Sequence, residues 1–376
     1  MVPFEIQLPQ RTVFGRGKAV PTVETLVGIY RRPMIVHGAN PDRATWLINF
    51  FPDAVTITCQ GEPDIGALEA ALQNARGENV DAVIALGGGS VIDLGKAVAG
   101  LAATDKPLLN YLEVVGDGSA IDAPPLPFIA LPTTSGTGAE ATRNAVIGVP
   151  EHGRKVSVRD VRMLPDLAIV DPALTDGCPR ATTLASGLDA ITQLIEPYLS
   201  SRANAYTDAL IVSALEPALR AIRILAERED ADARDAMAYA SYMSGITLSH
   251  AGLGAVHGLA GVIGGMSGAP HGEVCATLLA PTLMVNRRAL DQSGGATDRF
   301  DEIDALFNQH FEDQDGRDGF EQLSHWVTSV GIRAVVDMGV APDRFGQIAE
   351  MAQASSSMKA NPVQLSVKEL TDLLAK

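Results

Sequence analysis

The segment AVIALGGGSVIDLGKA, residues 82–97, decides the fold of the first half of the chain. Its first five residues are apolar and predict a buried strand, and the residues after the glycines predict a helix. Glycines at the carboxyl end of a strand let the backbone turn sharply, and the following helix presents unpaired N–H groups to an anion. The segment therefore predicts a phosphate-binding turn at Gly87, Gly88, Gly89 and Ser90. A tight turn without a ligand is the alternative, because the segment matches neither the Walker A nor the GxGxxG pattern.

Four further apolar runs join residues 82–86 in a predicted sheet. They are apolar on both faces, as strands between two layers of helices are. A helical pattern at 64–76 separates two of the strands, and this strand–helix–strand order implies right-handed βαβ units and parallel pairing. The four runs are residues 34–36, 55–58, 128–131 and 167–170.

After residue 178 the chain changes to long segments rich in Ala and Leu, without a strand pattern. We therefore predict an N-terminal Rossmann-like α/β domain, residues 1–178, followed by an all-helical domain, residues 179–376. Because no low-complexity linker separates the two halves, we expect them to abut, with the ligand site in the cleft between them.

The composition excludes several classes of partner. The chain has 376 residues and a formal net charge of −16, so nucleic acid and anionic membrane surfaces are not expected to bind it. Three widely spaced cysteines match no disulfide or zinc-finger pattern, and no secretory signal is apparent, which together favour the cytoplasm. Residues 236–272 contain no charged side chain. Because glycines and histidines interrupt them, we interpret them as a buried helix rather than a membrane span.

A second loop rich in hydroxyl groups and glycine, LPTTSGTGAE at residues 131–140, follows another predicted strand. Thr133, Thr134 and Thr137 in this loop can donate hydrogen bonds to phosphate and ribose oxygens. Because ligands of open α/β sheets bind at the carboxyl ends of the strands, we expect both loops to face one nucleotide.

A candidate metal site is spread over the helical half. Asp189 and Gln193 lie four residues apart on a predicted helix and therefore share a face. His257 lies on another helix, and His271 follows Pro270 at a predicted break. The alternative is that these are satisfied polar residues in a helical core, and spacing alone does not decide between the two interpretations.

Several motifs, in the right order, resemble the iron-containing (group III) alcohol dehydrogenases, within the dehydroquinate synthase-like superfamily. The motifs are residues 14–17, 87–96, 131–142, 188–200 and 254–281, so the resemblance covers nearly the whole chain. It implies an N-terminal dinucleotide-binding domain, an all-helical C-terminal domain and a divalent metal in the cleft.

The resemblance also implies two sets of site residues. The residues implied to bind the dinucleotide are Gly38, Gly87, Gly88, Gly89, Ser90, Asp93, Thr133, Thr134, Thr137 and Lys155. The residues implied to bind the metal are Asp189, Gln193, His257 and His271. Asp189, His257 and His271 are also the implied catalytic residues. NAD-preferring relatives tend to have an Asp where Gly38 stands, so both NAD and NADP are permitted.

Two positions depart from the family pattern. Gln193 stands where many relatives have His, and its neutral amide oxygen is a weaker metal ligand. Asp189, His257 and His271 remain as a two-histidine, one-carboxylate set, which suits Fe(II) first and also Zn(II) or Mn(II). Gly261 stands where many relatives carry another His near the substrate, so a proton relay is missing there. A histidine at 250 precedes His257 by about 10.5 Å of helical rise, too far to share one ion unless the helix breaks.

The implied function is reversible hydride transfer between NAD(P) and a small alcohol, aldehyde or ketone, with the metal polarising the substrate oxygen. A keto acid reductase similar to maleylacetate reductase would need positive charge, and residues 254–281 contain no Lys or Arg. A lyase similar to dehydroquinate synthase would need a basic cluster that we do not find. A catalytically silent dinucleotide-binding protein is a further alternative. Relatives are commonly dimers or larger, so a homodimer or larger homo-oligomer is expected.

Overall fold

The computed structural model describes residues 2–312 and 315–375 of the chain. Its internal contacts divide it into two compact units. The α/β unit is Ile6–Cys178, and the helical unit contains the described residues from Pro179 onwards together with residues 2–5. Phe4 in this first segment stacks on Tyr206, with 5.9 Å between the ring centroids.

The α/β unit is built from short strands and helices that alternate along the chain. Its strands are β1 (Arg11–Phe14), β2 (Met34–His37), β3 (Val55–Thr58), β4 (Val83–Gly87), β5 (Phe128–Pro132), β6 (Asn144–Val149), β7 (Arg154–Arg159) and β8 (Leu167–Val170). Its helices are α1 (Ala19–Glu24), α2 (Thr45–Ile48), α3 (Ile65–Gly77) and α4 (Gly89–Leu101).

Six of these strands form one parallel sheet in the order β1-β8-β5-β4-β2-β3. The inner strands have helices on both sides, and their alternate side chains enter two different cores. Met34, Val36 and Val83 pack with α3 and α4, whereas Ile35 and Ile84 pack with residues of α1 and α2. The predicted Rossmann-like fold of the first half is therefore confirmed.

Three details of the predicted strands were wrong or incomplete. The run at 55–58 is not buried on both faces, because β3 is an edge strand that exposes Thr56 and Thr58. The strand β1 was not predicted, since its four residues are mostly polar or partly exposed at the opposite edge. The antiparallel hairpin of β6 and β7 was also missed, because its burial alternates and a tight turn at 150–153 joins the strands.

The helical unit contains nine helices within the described residues, and no strand is found in that part of the unit. They are α5 (Arg180–Leu199), α6 (Ala205–Glu227), α7 (Ala231–Ala251), α8 (Ala255–Ser267), α9 (His271–Ser293), α10 (Asp298–Phe311), α11 (Gly319–Ser329), α12 (Phe345–Gln353) and α13 (Val367–Leu374). The prediction of an all-helical second half is confirmed. The helix α5 is almost entirely buried and packs against α6, α7 and α9.

The uncharged segment 236–272 is not one helix, as the sequence suggested, but contains most of α7, all of α8 and the first two residues of α9, with α7 and α8 joined at Gly252–Gly254. Gly252 takes a positive φ of 76°, which ends α7 because a left-handed backbone angle is easily reached only by glycine. No single helix in the described ranges is long and apolar enough to cross a bilayer. Only α7 and α8 taken together meet that length and composition test, and they bend by 103° at their junction.

Candidate metal centre and dinucleotide site

The metal candidates come together where three buried helices of the helical unit meet. Asp189 lies on α5, His257 on the first turn of α8, and His271 is the first residue of α9. The backbone at Gly272 passes so close to α5 that a Cβ added to this glycine would lie 2.4 Å from the carbonyl oxygen of Ala185. The glycine therefore allows α9 to dock with His271 beside Asp189.

A fourth side chain, Cys275, joins the cluster one helical turn after His271. Ligand atoms of Asp189, His257, His271 and Cys275 all lie within 4.8 Å of one another. Nε2 of His257 is 3.2 Å from Oδ1 of Asp189, and Nε2 of His271 is 3.8 Å from the same oxygen. Histidine nitrogens, a carboxylate oxygen and a thiol sulfur at these separations are a donor set suited to one divalent cation.

Glu196 orients His257 from the side away from the cluster. Its Oε2 lies 2.6 Å from Nδ1 of His257, so Nδ1–H donates to the carboxylate and Nε2 is left facing Asp189. Its Oε1 accepts a hydrogen bond of 2.7 Å from the backbone N–H of Val256. A carboxylate behind a ligating histidine fixes the tautomer and increases the basicity of the coordinating nitrogen.

The start of α8 is held by the same carboxylate and by Asn361. The amide oxygen of Asn361 accepts a 3.0 Å hydrogen bond from the backbone N–H of Ala255. An added Cβ at Gly254 would lie 2.8 Å from that oxygen and 3.0 Å from Oε1 of Glu196. The glycine therefore allows both acceptors to reach the first N–H groups of the helix, which have no partner inside it.

The electrostatics of the cluster favour a positively charged occupant. Neighbouring Cys275 and Asp189 raise the pKa of His271 to about 9. Burial alone would lower the pKa of His257, but Cys275 and Glu196 raise it well above its usual value. For Asp189, burial is outweighed by the hydrogen bond with His257 and the proximity of His271, so its pKa falls. The two raised histidine pKa values indicate that this buried site stabilises positive charge, and the lowered pKa of Asp189 indicates that its carboxylate is ionised there.

Gln193 lies on the same helix as Asp189, but its amide oxygen has a protein partner. Oε1 of Gln193 accepts a 3.0 Å hydrogen bond from Oγ of Ser244 on α7. The backbone of α7 ends before the metal cluster, and His250 near its end contacts Ile246 through Nδ1 at 2.6 Å. The chain does break between His250 and His257, but His250 is not among the clustered donors.

The triple-glycine turn forms a second candidate site, in the α/β unit. Gly87 ends β4, Gly88 precedes α4, and Gly89 begins it, as the sequence predicted. The carbonyl oxygen of Gly87 accepts a 2.9 Å hydrogen bond from the N–H of Thr133, because β4 and β5 are neighbours in register. The turn and the threonine loop therefore lie side by side at the carboxyl edge of the sheet.

The glycines are required by this close packing. An added Cβ at Gly88 would lie 3.2 Å from Oγ1 of Thr134, and one at Gly89 would lie 2.8 Å from Oγ1 of Thr137. Any side chain at either position would fill the space before the first turn of α4, where backbone N–H groups have no acceptor within the helix. A pyrophosphate fits this arrangement because it can approach the backbone closely and accept from those groups.

Two predicted dinucleotide residues have partners within the α/β unit. Oδ2 of Asp93 accepts a 3.1 Å hydrogen bond from the N–H of Val146, and burial raises the pKa of Asp93 to about 6. Lys155 forms an ion pair with Glu62. These contacts show how Asp93 and Lys155 are held in the chain described here, and their part in dinucleotide binding stays a prediction.

Comparison with known proteins places both units in one family. The family model described as iron-containing alcohol dehydrogenase matches residues 9–172, and the model of the C-terminal part of that family matches residues 183–376. The chain belongs to the iron-containing alcohol dehydrogenase family. Alcohol dehydrogenase 4 of Schizosaccharomyces pombe is 34% identical over 307 residues, which is 81% of this chain and 70% of that protein.

Solved structures with the same fold cover nearly the whole chain. An alcohol dehydrogenase from Oenococcus oeni is 26% identical, with a TM-score of 0.83 and 99% of each chain covered. A sulfoacetaldehyde reductase from Bifidobacterium kashiwanohense in complex with NAD+ is 25% identical, with a TM-score of 0.84 over 100% of this chain and 98% of that one.

Two residues of this family member's metal cluster were missed by the sequence prediction. Cys275 lies four residues after His271, so helical spacing places it beside a predicted ligand, whereas Glu196 lies seven residues after Asp189 and shares only its helix face. The spacing of Cys275 from His271 was therefore a usable signal. Gly261, in contrast, is exposed and an added Cβ would meet nothing within 4 Å, so packing does not require glycine there.

Proposed function

We propose that this chain is a metal-dependent, NAD(P)-linked alcohol dehydrogenase that also reduces aldehydes or ketones. The observation that carries the proposal is the convergence of Asp189, His257 and His271 on one small volume, although they are far apart in sequence. Family membership supports the same class of reaction, oxidation and reduction at a CH–OH group.

The cation is proposed to bind to Asp189, His257 and His271, with Fe(II) the family's metal and Zn(II) or Mn(II) also suited to the donors. When bound, a divalent cation supplies Lewis-acid polarisation of the substrate oxygen. The chain's own residues position it: Glu196 orients His257, and the Asp189 carboxylate supplies negative charge. The His271 side chain is 35% accessible whereas that of Asp189 is 3% accessible, so substrate approaches from the side of His271.

The dinucleotide is proposed to bind at the turn formed by Gly87, Gly88, Gly89 and Ser90, with Thr133, Thr134 and Thr137 beside it. The nicotinamide supplies the hydride chemistry when bound. An added Cβ at Gly38 would only reach ordinary contact, 4.0 Å from Val91, so packing leaves room there for a larger side chain. Because Gly38 carries no carboxylate to repel a 2′-phosphate, the proposal includes both NAD and NADP.

A keto acid reductase and a silent dinucleotide-binding protein are weaker alternatives. The assembled donors favour an enzyme over a silent protein, because a protein without catalytic activity gains nothing from a buried cluster of metal-binding side chains. No disulfide joins the three cysteines within the described residues, which supports the proposal of a reducing, cytoplasmic compartment. A homodimer or larger homo-oligomer remains part of the proposal.

The test is a steady-state screen of the purified, metal-loaded chain against primary alcohols, secondary alcohols, aldehydes, ketones and keto acids, each with both nicotinamide dinucleotides. We expect a change in absorbance of the reduced nicotinamide with alcohols or aldehydes. Turnover of keto acids alone would favour the alternative reductase, and no turnover with any substrate would contradict the proposed enzyme.

A further inference from the structure

We propose that the Cys275 thiolate is the fourth protein ligand of the cation, in place of the histidine that Gln193 replaces, and that it directs the site toward Zn(II). The inference rests on the proposed function, because it concerns the same cation. It assigns a ligand that the family pattern of one aspartate and three histidines does not contain.

The placement of Cys275 follows from the way α9 begins. His271 and Cys275 are four residues apart and therefore lie on the same face of the helix, one turn from each other. Close docking at Gly272 presses this face against α5. Cys275 is completely buried, so its sulfur is enclosed with the other donors rather than exposed to solvent.

The distances match the edges of a coordination tetrahedron. Sγ of Cys275 is 3.6 Å from Nε2 of His271 and 3.9 Å from Nε2 of His257. Zinc bonds of about 2.3 Å to sulfur and about 2.0 Å to nitrogen, at tetrahedral angles, give a sulfur–nitrogen edge of roughly 3.5 Å. Both observed separations, 3.6 and 3.9 Å, are longer than this value, so side-chain movements of a few tenths of an ångström would bring the sulfur and both nitrogens within bonding distance of one cation.

Gln193 is a poorer candidate for the fourth position. Its amide oxygen already accepts from Ser244, and its backbone oxygen accepts a 3.3 Å hydrogen bond from Oγ1 of Thr247. A neutral amide oxygen is also a weaker donor to a transition metal than a thiolate. When Cys275 bonds the cation, its S–H bond is broken and the proton leaves to solvent, so no other reactant is needed.

A thiolate ligand changes which metal the site prefers. Sulfur is a soft donor that selects Zn(II) over the harder Mn(II), and Zn(II) also lies above Fe(II) in general affinity. We therefore infer that this chain binds Zn(II), and its spectroscopic substitute Co(II), through one aspartate, two histidines and one cysteine, and that the substrate oxygen would join them as a fifth ligand.

The test is cobalt substitution of the full chain, with metal content measured alongside the absorption spectrum. We expect about one cobalt per chain and a sulfur-to-cobalt charge-transfer band in the near ultraviolet for the wild type. Cys275→Ser should lose the band and bind zinc at least about tenfold more weakly, since losing even an outer partner of a ligand costs that much. The control, Cys178→Ser, removes a buried thiol of the α/β unit and should keep both properties.

X-ray absorption at the zinc edge of the wild type tests the inference without a variant, and should show one sulfur at about 2.3 Å. Bound metal without a sulfur neighbour, or a band that survives in Cys275→Ser, would overturn the assignment of Cys275 while leaving the proposed dehydrogenase intact. A wild-type chain that binds no divalent metal and still oxidises alcohols would instead overturn the metal's role altogether.

Discussion

At the scale of single residues, Glu196 connects the fold to the metal cluster. One carboxylate oxygen caps the start of α8, and the other holds the ring of His257. The side chain is buried, so these two contacts replace the water it would otherwise bind. The carboxylate therefore both stabilises the start of α8 and orients His257 as a metal ligand.

Glu196→Gln is expected to weaken metal binding by about 10- to 100-fold, because the amide no longer stabilises the required tautomer of His257 by charge. The measurement is competition for zinc against a chelator of known affinity. Glu227→Gln, at an exposed position on α6, is the matched control and should leave the affinity unchanged. Equal affinities for the two variants would show that Glu196 has no influence on the metal.

The burial of Glu140 predicts that the free energy of unfolding of the α/β unit depends on pH. It is buried, one of its oxygens has no hydrogen-bond partner, and burial raises its pKa from 4.5 to about 7. Because the native chain holds this proton more tightly than the unfolded chain, stability falls as pH rises from 4.5 toward 7. Nearby Lys96, whose pKa burial lowers to about 8, offsets only part of this cost.

Glu140→Gln should therefore be more stable than the wild type above about pH 7, by up to roughly 3 kcal/mol, with a smaller difference near about pH 4.5. Denaturant unfolding at both pH values measures this difference. The exposed control, Glu151→Gln, should show no pH-dependent gain. A gain for Glu140→Gln that is the same at both pH values would contradict ionisation as its cause.

At the scale of elements, the strand–turn–helix of β4 and α4 could be predicted because its signal is local. A run of apolar residues, three glycines and a helical pattern follow one another within 82–97. The edge strands β1 and β3 and the hairpin of β6 and β7 have weaker signals, because each is only partly buried and mixes polar with apolar side chains.

The metal cluster, in contrast to β4 and α4, has no local signal in the sequence. Asp189, His257 and His271 were predicted through family resemblance, because the packing of three helices brings them together from distant positions. No local pattern encodes that packing, so Glu196 and Cys275 became visible as members of the site only when α5, α8 and α9 were seen together.

Gly89→Ala tests the role of the turn. Its added methyl group would lie 2.8 Å from two side-chain atoms of Thr137, so the turn and the threonine loop must move apart. We expect at least about tenfold weaker binding of reduced dinucleotide, a loss of about 1.4 kcal/mol, measured by nicotinamide fluorescence. Gly77→Ala, where an added Cβ meets nothing within 4 Å, should bind as the wild type does. Unchanged binding by Gly89→Ala would place the dinucleotide elsewhere.

At the scale of the whole molecule, the two candidate sites belong to separate compact units. Removing the metal with a chelator should therefore abolish turnover but leave dinucleotide affinity nearly unchanged. Fluorescence titration with NADH or NADPH before and after chelation measures the affinity, and re-addition of zinc should restore turnover. A large loss of dinucleotide affinity on chelation would show that the two units do not bind their ligands independently.

The central claim is that Asp189, His257 and His271 bind the one cation on which turnover depends. The most direct measurement is alcohol oxidation by metal-free chain during stepwise addition of zinc, with bound metal determined at each step, for the wild type and for Asp189→Ala. We predict that wild-type turnover rises in proportion to bound metal and stops rising at about one cation per chain, whereas Asp189→Ala neither retains zinc nor turns over. Full turnover by the metal-free wild type, or by Asp189→Ala, would contradict the account.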